Sequence, residues 1–295
     1  MSVNNSCRFV GTQQSAALAL VLLVEFGIGL LGNGVALWIF CFRMTSWKAS
    51  TVYLFNLSLA DVLLIFCLPF RACYFMQSSN WHFGNAPCSL MLFMVSLNRA
   101  GSIFFLTLVA VDRYFKVVHP YHRINTTTKM EAVVLAVLMW SVIVAMTIYI
   151  LTETHLINGE VTNTTLCESF DFNRNLSSTL IWHNIFFVAE FAVPLVVILF
   201  CTGSIVRQLK TNQMGRQGKT QRAVKSVTAV IFVFIFCFLP STVAIIAVSI
   251  SKGLSRCYAG YIFAVRLDRR ALQHAYSLNF GPDANDEFRF VIIQA

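Results

Sequence analysis

The sequence predicts an all-α membrane protein, a transmembrane helix bundle with six clear spans. Of its 295 residues, 57% are hydrophobic and only 12% are charged, whereas soluble domains carry about 25% charged residues. Each of six apolar runs is long enough to cross a hydrocarbon core about 30 Å thick, and none alternates like a barrel strand. The runs cover about 17–42, 50–76, 86–118, 130–152, 180–208 and 222–251.

Basic residues alternate along the loops in the way that membrane topology predicts. The loops after the first, third and fifth runs are basic, most of all 207–225, which carries six Lys or Arg residues. Cytoplasmic loops carry this excess, so the chain divides into an extracellular N-terminus (1–16), a transmembrane bundle (17–251) and a C-terminal segment (252–295). The same distribution explains the net charge of +9 without a nucleic-acid partner. Three glycosylation sequons fall in segments assigned outside the cell: Asn4, Asn163 and Asn175.

The third run has a cation at its centre, Arg99, and a charged triplet at its end, Asp112-Arg113-Tyr114. A charge at this depth is costly and normally faces a protein interior with a partner. Arg99 follows Cys88 by eleven residues, or about 16 Å of helix. It is either a structural arginine paired with a buried acid or the counter-ion of an anionic ligand, and we favour the ligand. The intramembrane acids Glu25 and Glu190 are interpreted as polar bridges between helices.

Four cysteines fall in segments assigned outside the cell: Cys7, Cys88, Cys167 and Cys257. The extracellular face is oxidising, and four cysteines allow three pairings. No metal-ligand spacing, phosphate loop or nucleophile triad occurs in the sequence, so we expect a protein that is not an enzyme and holds no catalytic metal.

Motifs in all six runs resemble those of rhodopsin-like G-protein-coupled receptors. They are Gly32-Asn33, Asn56-Leu-Ser-Leu-Ala-Asp61, Asp112-Arg113-Tyr114, Trp140, Pro194 and Phe236-Cys-Phe-Leu-Pro240. A finer resemblance, to the hydroxycarboxylic acid (niacin) receptor group, is carried by Leu30–Phe42, by Cys88–Pro120 with its Asn98-Arg99 pair, and by Glu190–Pro194.

This resemblance implies a plasma-membrane receptor for a small carboxylic or hydroxycarboxylic acid that signals through an inhibitory heterotrimeric G protein. In that group the arginine at the Arg99 position binds the ligand carboxylate. Ser169 and Phe170 would help to close the pocket, and Trp81, in the first outer loop, would also belong to the ligand site. Signalling would involve Asp112, Arg113, Tyr114, Phe238 and Pro240. Oxo-eicosanoid receptors carry the same arginine, so a longer oxidised fatty acid is an alternative ligand.

The resemblance also implies two disulfides and a buried polar cluster. The bridges would be Cys88–Cys167 and Cys7–Cys257. Asp61, Asn33 and Ser102 would hold a sodium ion, and the alternative is a hydrogen-bond network between helices without an ion.

After Cys257 the pattern departs from the family. An Asn-Pro-x-x-Tyr motif does not follow, and the apolar stretches of 252–295 are too short to span a membrane. The sequence therefore predicts a missing or replaced seventh helix, and a truncated, non-signalling receptor variant is the second functional hypothesis. A six-helix transporter or channel is disfavoured, since the runs show neither repeat symmetry nor broken helices.

Overall fold

The computed structural model describes residues 12–152, 154–158, 164–167, 178–211, 228–232, 234–239 and 242–243. Within these ranges, five helical stretches are long and apolar enough to cross a membrane. Their α-helices are α1 Thr12–Trp38, α2 Ala49–Met76, α3 Asn85–Val118, α4 Lys129–Thr147 and α5 Ser178–Thr211. The predicted class, a helical membrane bundle, is confirmed. The predicted loss of a seventh helix concerns residues outside the described ranges.

Short helical turns join or extend the long helices on the side where α1 and α3 end. Helix α1 continues into a π-helical turn, Ile39–Arg43, and a 3₁₀ turn at Arg123–Thr126 precedes α4. The start of α4 has a capping box: the Glu131 amide donates to Thr128 Oγ1 (3.3 Å) and the Thr128 amide donates to Glu131 Oε2 (2.8 Å). These bonds satisfy two amides that the helix itself cannot pair. At its other end α4 passes into a 3₁₀ turn, Ile148–Leu151.

A small hairpin is attached to the opposite end of α3. Strands β1 (Leu156–Asn158) and β2 (Thr165–Cys167) are antiparallel, with Leu156 opposite Cys167. Cys167 is bonded to Cys88 of α3, with Cα atoms 5.8 Å apart, so the predicted Cys88–Cys167 disulfide is present. The Trp81 amide donates to the Thr165 carbonyl at 2.7 Å, which holds the hairpin against the α2–α3 loop as well. Cys7, Cys257 and the sequons at Asn4, Asn163 and Asn175 lie outside the described residues.

Helix α3 runs through the middle of the bundle. Its buried side chains, among them Ile103, Phe105 and Leu106, belong to one core cluster with residues of α1, α2, α4 and α5. The same cluster includes Val230 and Phe234 of the sixth segment, a name used here for residues 228–232, 234–239 and 242–243. The sixth segment includes a π-helical turn, Phe234–Phe238. Its Phe234 ring stacks on Phe191 of α5, with centroids 5.1 Å apart.

Close approach of α3 to α2 and α4 depends on Gly101. A Cβ atom at this position would lie 3.2 Å from Ala60 Cβ and 3.3 Å from Trp140 Cη2. The Trp140 indole is fixed in place, because its Nε1 donates to Asn56 Oδ1 of α2 at 2.8 Å. The helices therefore meet at a point where a larger side chain has no room.

Replacing Gly101 tests this packing. We expect Gly101→Leu to lower the free energy of unfolding by about 1–3 kcal/mol, the usual cost of overpacking, measured as a lower melting temperature of the purified protein. Gly203→Leu on α5 is the matched control, since no atom lies within 4 Å of a Cβ added there. Equal melting temperatures for the two variants would contradict the proposed close contact.

Candidate ligand-binding site

Arg99 lies on α3 between α5 and the sixth segment. Its Nη2 donates to Thr242 Oγ1 at 3.2 Å. Its Cζ lies 3.2 Å from the ring centroid of Phe187, so one face of the guanidinium is covered by this α5 side chain. Such stacking is attractive because the cation meets the negative face of the ring. Both contacts hold Arg99 in one orientation.

The Arg99 guanidinium keeps unused hydrogen-bond donors. Its Nε and Nη1 atoms are buried without a hydrogen-bond partner in the described part of the chain, and so is Glu190 Oε1. Glu190 follows Phe187 by one helical turn, on the same face of α5, and is close enough to interact electrostatically with Arg99. An acid therefore lies near Arg99, yet two donors remain. A guanidinium in this state can bind a carboxylate through two hydrogen bonds.

Trp81, the other described residue of the predicted ligand site, lies in a separate cluster. It is buried with Cys88, Cys167, Met91 and Leu92, and its Nε1 donates to the Gly84 carbonyl at 2.8 Å. Its indole therefore packs beneath the hairpin and the disulfide, and a contact with ligand stays a prediction. Ser169 and Phe170 come two and three residues after the disulfide-bonded Cys167 and lie outside the described residues.

The predicted polar cluster at Asp61 includes a residue that sequence reasoning missed. Asp61 Oδ1 accepts from Asn98 Nδ2 at 2.9 Å and from Ser102 Oγ at 3.5 Å. Asn98 immediately precedes Arg99, so the two residues point in different directions from the same turn of α3. Asn33 Nδ2 donates to the Gly29 carbonyl at 3.2 Å.

Two oxygen atoms of this cluster bear on the predicted sodium ion. Asp61 Oδ2 and Asn33 Oδ1 are buried without a hydrogen-bond partner in the described ranges. A carboxylate and an amide oxygen are hard ligands of the kind that bind small cations, so their chemistry is compatible with sodium. Of the predicted residues, Ser102 is hydrogen-bonded to Asp61, whereas Asn33 bonds Gly29 of its own helix. No group of three or more His, Cys, Asp and Glu residues in the described ranges could hold a metal ion.

At the far end of α3, Asp112 has two partners that the sequence did not indicate. Asp112 Oδ2 accepts from Ser50 Oγ of α2 and from Lys116 Nζ, both at 2.7 Å. Lys116 Nζ also lies 2.7 Å from Ser50 Oγ, so the three groups form a triangle. The i,i+4 spacing of Asp112 and Lys116 was the available signal, and it was overlooked.

Two further residues of the predicted signalling set, Tyr114 and Phe238, lie in different parts of the bundle. The Tyr114 hydroxyl lies 3.1 Å from His119 Nε2, and its ring packs against Phe200 of α5 with centroids 5.6 Å apart. Phe238 ends the π-helical turn and contacts Phe234 at 5.5 Å between centroids. Its carbonyl accepts from Thr242 Oγ1 at 2.9 Å. Pro240 lies outside the described residues.

Comparison with known proteins agrees with this architecture. A model described as "7 transmembrane receptor (rhodopsin family)" matches residues 32–266. The chain therefore belongs to the rhodopsin family of seven-transmembrane receptors. Members of this family are multi-pass receptors of the plasma membrane and not enzymes, so these predictions are confirmed at that level.

Within this family the chain belongs to the hydroxycarboxylic acid (niacin) receptor group, as its identity to two human members shows. Hydroxycarboxylic acid receptor 3 of Homo sapiens is 46% identical over 239 residues, which cover 81% of this chain and 60% of that protein. Hydroxycarboxylic acid receptor 1 of Homo sapiens is 46% identical over 239 residues, covering 81% and 67%. Oxoeicosanoid receptor 1 of Homo sapiens is 37% identical over 247 residues, covering 82% and 62%. The chain spans less than two thirds of the length of the hydroxycarboxylic acid receptors 2 and 3 that it matches.

The two hydrogen bonds that Asp61 accepts differ in length, and this difference leads to a prediction about stability. We expect Asn98→Ala to destabilise the purified protein by about 1–3 kcal/mol, because Asp61 loses its shorter hydrogen bond inside the bundle. Ser102→Ala should cost less, since its bond to Asp61 is 3.5 Å long and weaker. Thermal unfolding of the two variants checks the order, and a larger effect of Ser102→Ala would contradict it.

Proposed function

We propose that the protein binds a small carboxylic or hydroxycarboxylic acid through Arg99 and signals through a heterotrimeric G protein of the inhibitory class. The observation that carries this proposal is the Arg99 guanidinium, whose Nε and Nη1 atoms are buried without hydrogen-bond partners in the described ranges. The relatives named for hydroxycarboxylic acids support the ligand class. Inhibitory coupling is proposed from the resemblance to this group.

The orientation that we propose places the N-terminus and the Cys88 end of α3 outside the cell. The Cys88–Cys167 disulfide supports it, because such bonds persist in oxidising compartments. Basic loops at the other end of the helices support it as well. A ligand would then reach Arg99 from the hairpin side, while Asp112 and Tyr114 would lie near the G protein. Binding would shift the population between two packings of the bundle.

A longer oxidised fatty acid is the second candidate ligand. Oxoeicosanoid receptor 1 and the 12-(S)-hydroxy-5,8,10,14-eicosatetraenoic acid receptor of Homo sapiens are 37% and 38% identical to this chain. Both ligand classes end in a carboxylate and differ in the length of the apolar chain. Arg99 would bind either class, so only a panel of acids of different length can separate them.

The proposal predicts a ligand response that depends on Arg99. In cells that express the chain, a panel of short hydroxy acids, niacin and long oxidised fatty acids should include an acid that inhibits cyclic AMP formation. Arg99→Ala should lower its potency at least about 100-fold, since hydrogen bonds to a charged group contribute about 1.5–3 kcal/mol each. Arg99→Lys should recover part of the loss, because a lysine keeps the charge but not the guanidinium fork.

Surface expression, measured for every variant, separates the outcomes of this experiment. A full response in Arg99→Ala at equal surface level would overturn the role of Arg99. Good surface expression without a response to any acid would favour the non-signalling hypothesis.

The sodium ion near Asp61 is proposed on the two unpartnered oxygens and has a direct test. If Asp61 and Asn33 bind sodium, NaCl should raise the melting temperature of the purified protein above that in choline chloride of equal ionic strength, because a ligand that binds only the folded state stabilises it. Asp61→Asn should abolish the difference between the two salts. An equal response to both salts in the unmutated protein would favour the hydrogen-bond network without an ion.

A further inference from the structure

Thr242 connects the candidate ligand anchor to the turn that carries Phe238. Its hydroxyl oxygen accepts from Arg99 Nη2 at 3.2 Å, and its own proton is donated to the Phe238 carbonyl at 2.9 Å. The residue is buried, with 2% of its surface exposed. One hydroxyl therefore bonds a side chain of α3 and the backbone of the sixth segment at the same time.

The bond to Phe238 affects the shape of the sixth segment. A Thr hydroxyl that donates to the carbonyl four residues earlier tends to bend its helix. Here that carbonyl belongs to the last residue of the π-helical turn Phe234–Phe238, and such turns are themselves local departures from regular helix. Phe234 and Phe238 pack against each other in this turn, and Phe234 stacks on Phe191 of α5.

The bond to Arg99 makes this arrangement sensitive to an anion. Hydrogen bonds in a chain polarise one another, so the Arg99 cation strengthens the bond that Thr242 donates to Phe238. A carboxylate that binds Nε and Nη1 leaves Nη2 to Thr242. It fixes the guanidinium further and so strengthens its hold on Thr242. The change would then reach the Phe238 turn through a single side chain.

We propose that Thr242 is a positioning residue that holds the Arg99 guanidinium in place and couples its state to the turn carrying Phe238. The Thr242 hydroxyl carries this coupling, and its methyl group contributes only packing volume. The trigger, a carboxylate at Arg99, rests on the proposed function, whereas the coupling between Arg99 and Thr242 can be measured without any ligand.

The ligand-free test is a double-mutant cycle read by hydrogen–deuterium exchange. The full chain, Arg99→Gln, Thr242→Val and the double variant are purified, and exchange of the backbone amides in 234–243 is followed. We expect Arg99→Gln to accelerate exchange when Thr242 is present and to have no further effect in Thr242→Val, because linked sites are not additive. An equal effect of Arg99→Gln in both backgrounds would overturn the proposal.

The ligand test uses the active acid from the cyclic AMP panel, measured by binding and by maximal response. Thr242→Val should weaken binding about tenfold, as expected for one hydrogen bond to a charged group, and should lower the maximal response. Thr242→Ser should restore both. A packing role predicts the reverse order, since Val keeps the volume of Thr and Ser does not, and that order would overturn the proposal.

Thr202→Val is the matched control. Thr202 Oγ1 donates to the Ile198 carbonyl at 2.7 Å, the same four-residue bond, but on α5. The Thr202→Val variant should leave acid binding and response unchanged, and a loss equal to that of Thr242→Val would overturn the proposal. If the unmutated chain binds no acid in the panel, the proposed function fails, while the exchange cycle still decides the role of Thr242.

Discussion

Burying the Arg99 guanidinium among apolar helices costs free energy, and the surrounding side chains offset only part of that cost. Phe187 covers one face of the cation and Thr242 accepts from one nitrogen. Glu190, on the next turn of α5, interacts electrostatically with Arg99. A structural arginine would be expected to have all its donors paired, and two donors of Arg99 lack partners in the described ranges. Those two free donors are the reason for proposing a binding site at Arg99 and not a simple polar bridge.

Helix α3 connects Arg99 mechanically to the rest of the bundle. From one end to the other it carries the disulfide at Cys88, the Asn98 bond to Asp61, Arg99 itself, and Asp112 with its partners Ser50 and Lys116. The helix is continuous from Asn85 to Val118, so a rotation imposed at Arg99 displaces every one of these groups. Gly101 lets α3 pack closely against Ala60 and Trp140. This close packing leaves α3 little room to move independently of α2 and α4.

Sequence alone was sufficient for features that depend on composition or on spacing along one helix. The bundle followed from apolar runs, and the position of Arg99 followed from its place within one of them. Contacts between helices were harder to predict, because they depend on how each helix is rotated about its axis. The sequence did not reveal Asn98 as the nearer partner of Asp61, Phe187 as the cover of Arg99, or Ser50 as a partner of Asp112. The four cysteines assigned outside the cell allow three sets of disulfide pairings. Only the resemblance to the family selected the set with Cys88–Cys167.

The Phe187 ring also limits the shape of anion that can approach Arg99. With one face of the guanidinium closed by an aromatic ring 3.2 Å away, approach is restricted to the edges and the opposite face. A flat carboxylate can lie in the plane of the cation, as in bidentate pairs. In a sulfonate or phosphonate with two oxygens in that plane, the third oxygen and the carbon substituent project from opposite sides of it, so one of them points to the side of the ring. If Arg99 binds the ligand as proposed, a planar group such as tetrazolate is thus the better replacement among carboxylate isosteres, because the Phe187 ring favours flat anions on its side of the guanidinium.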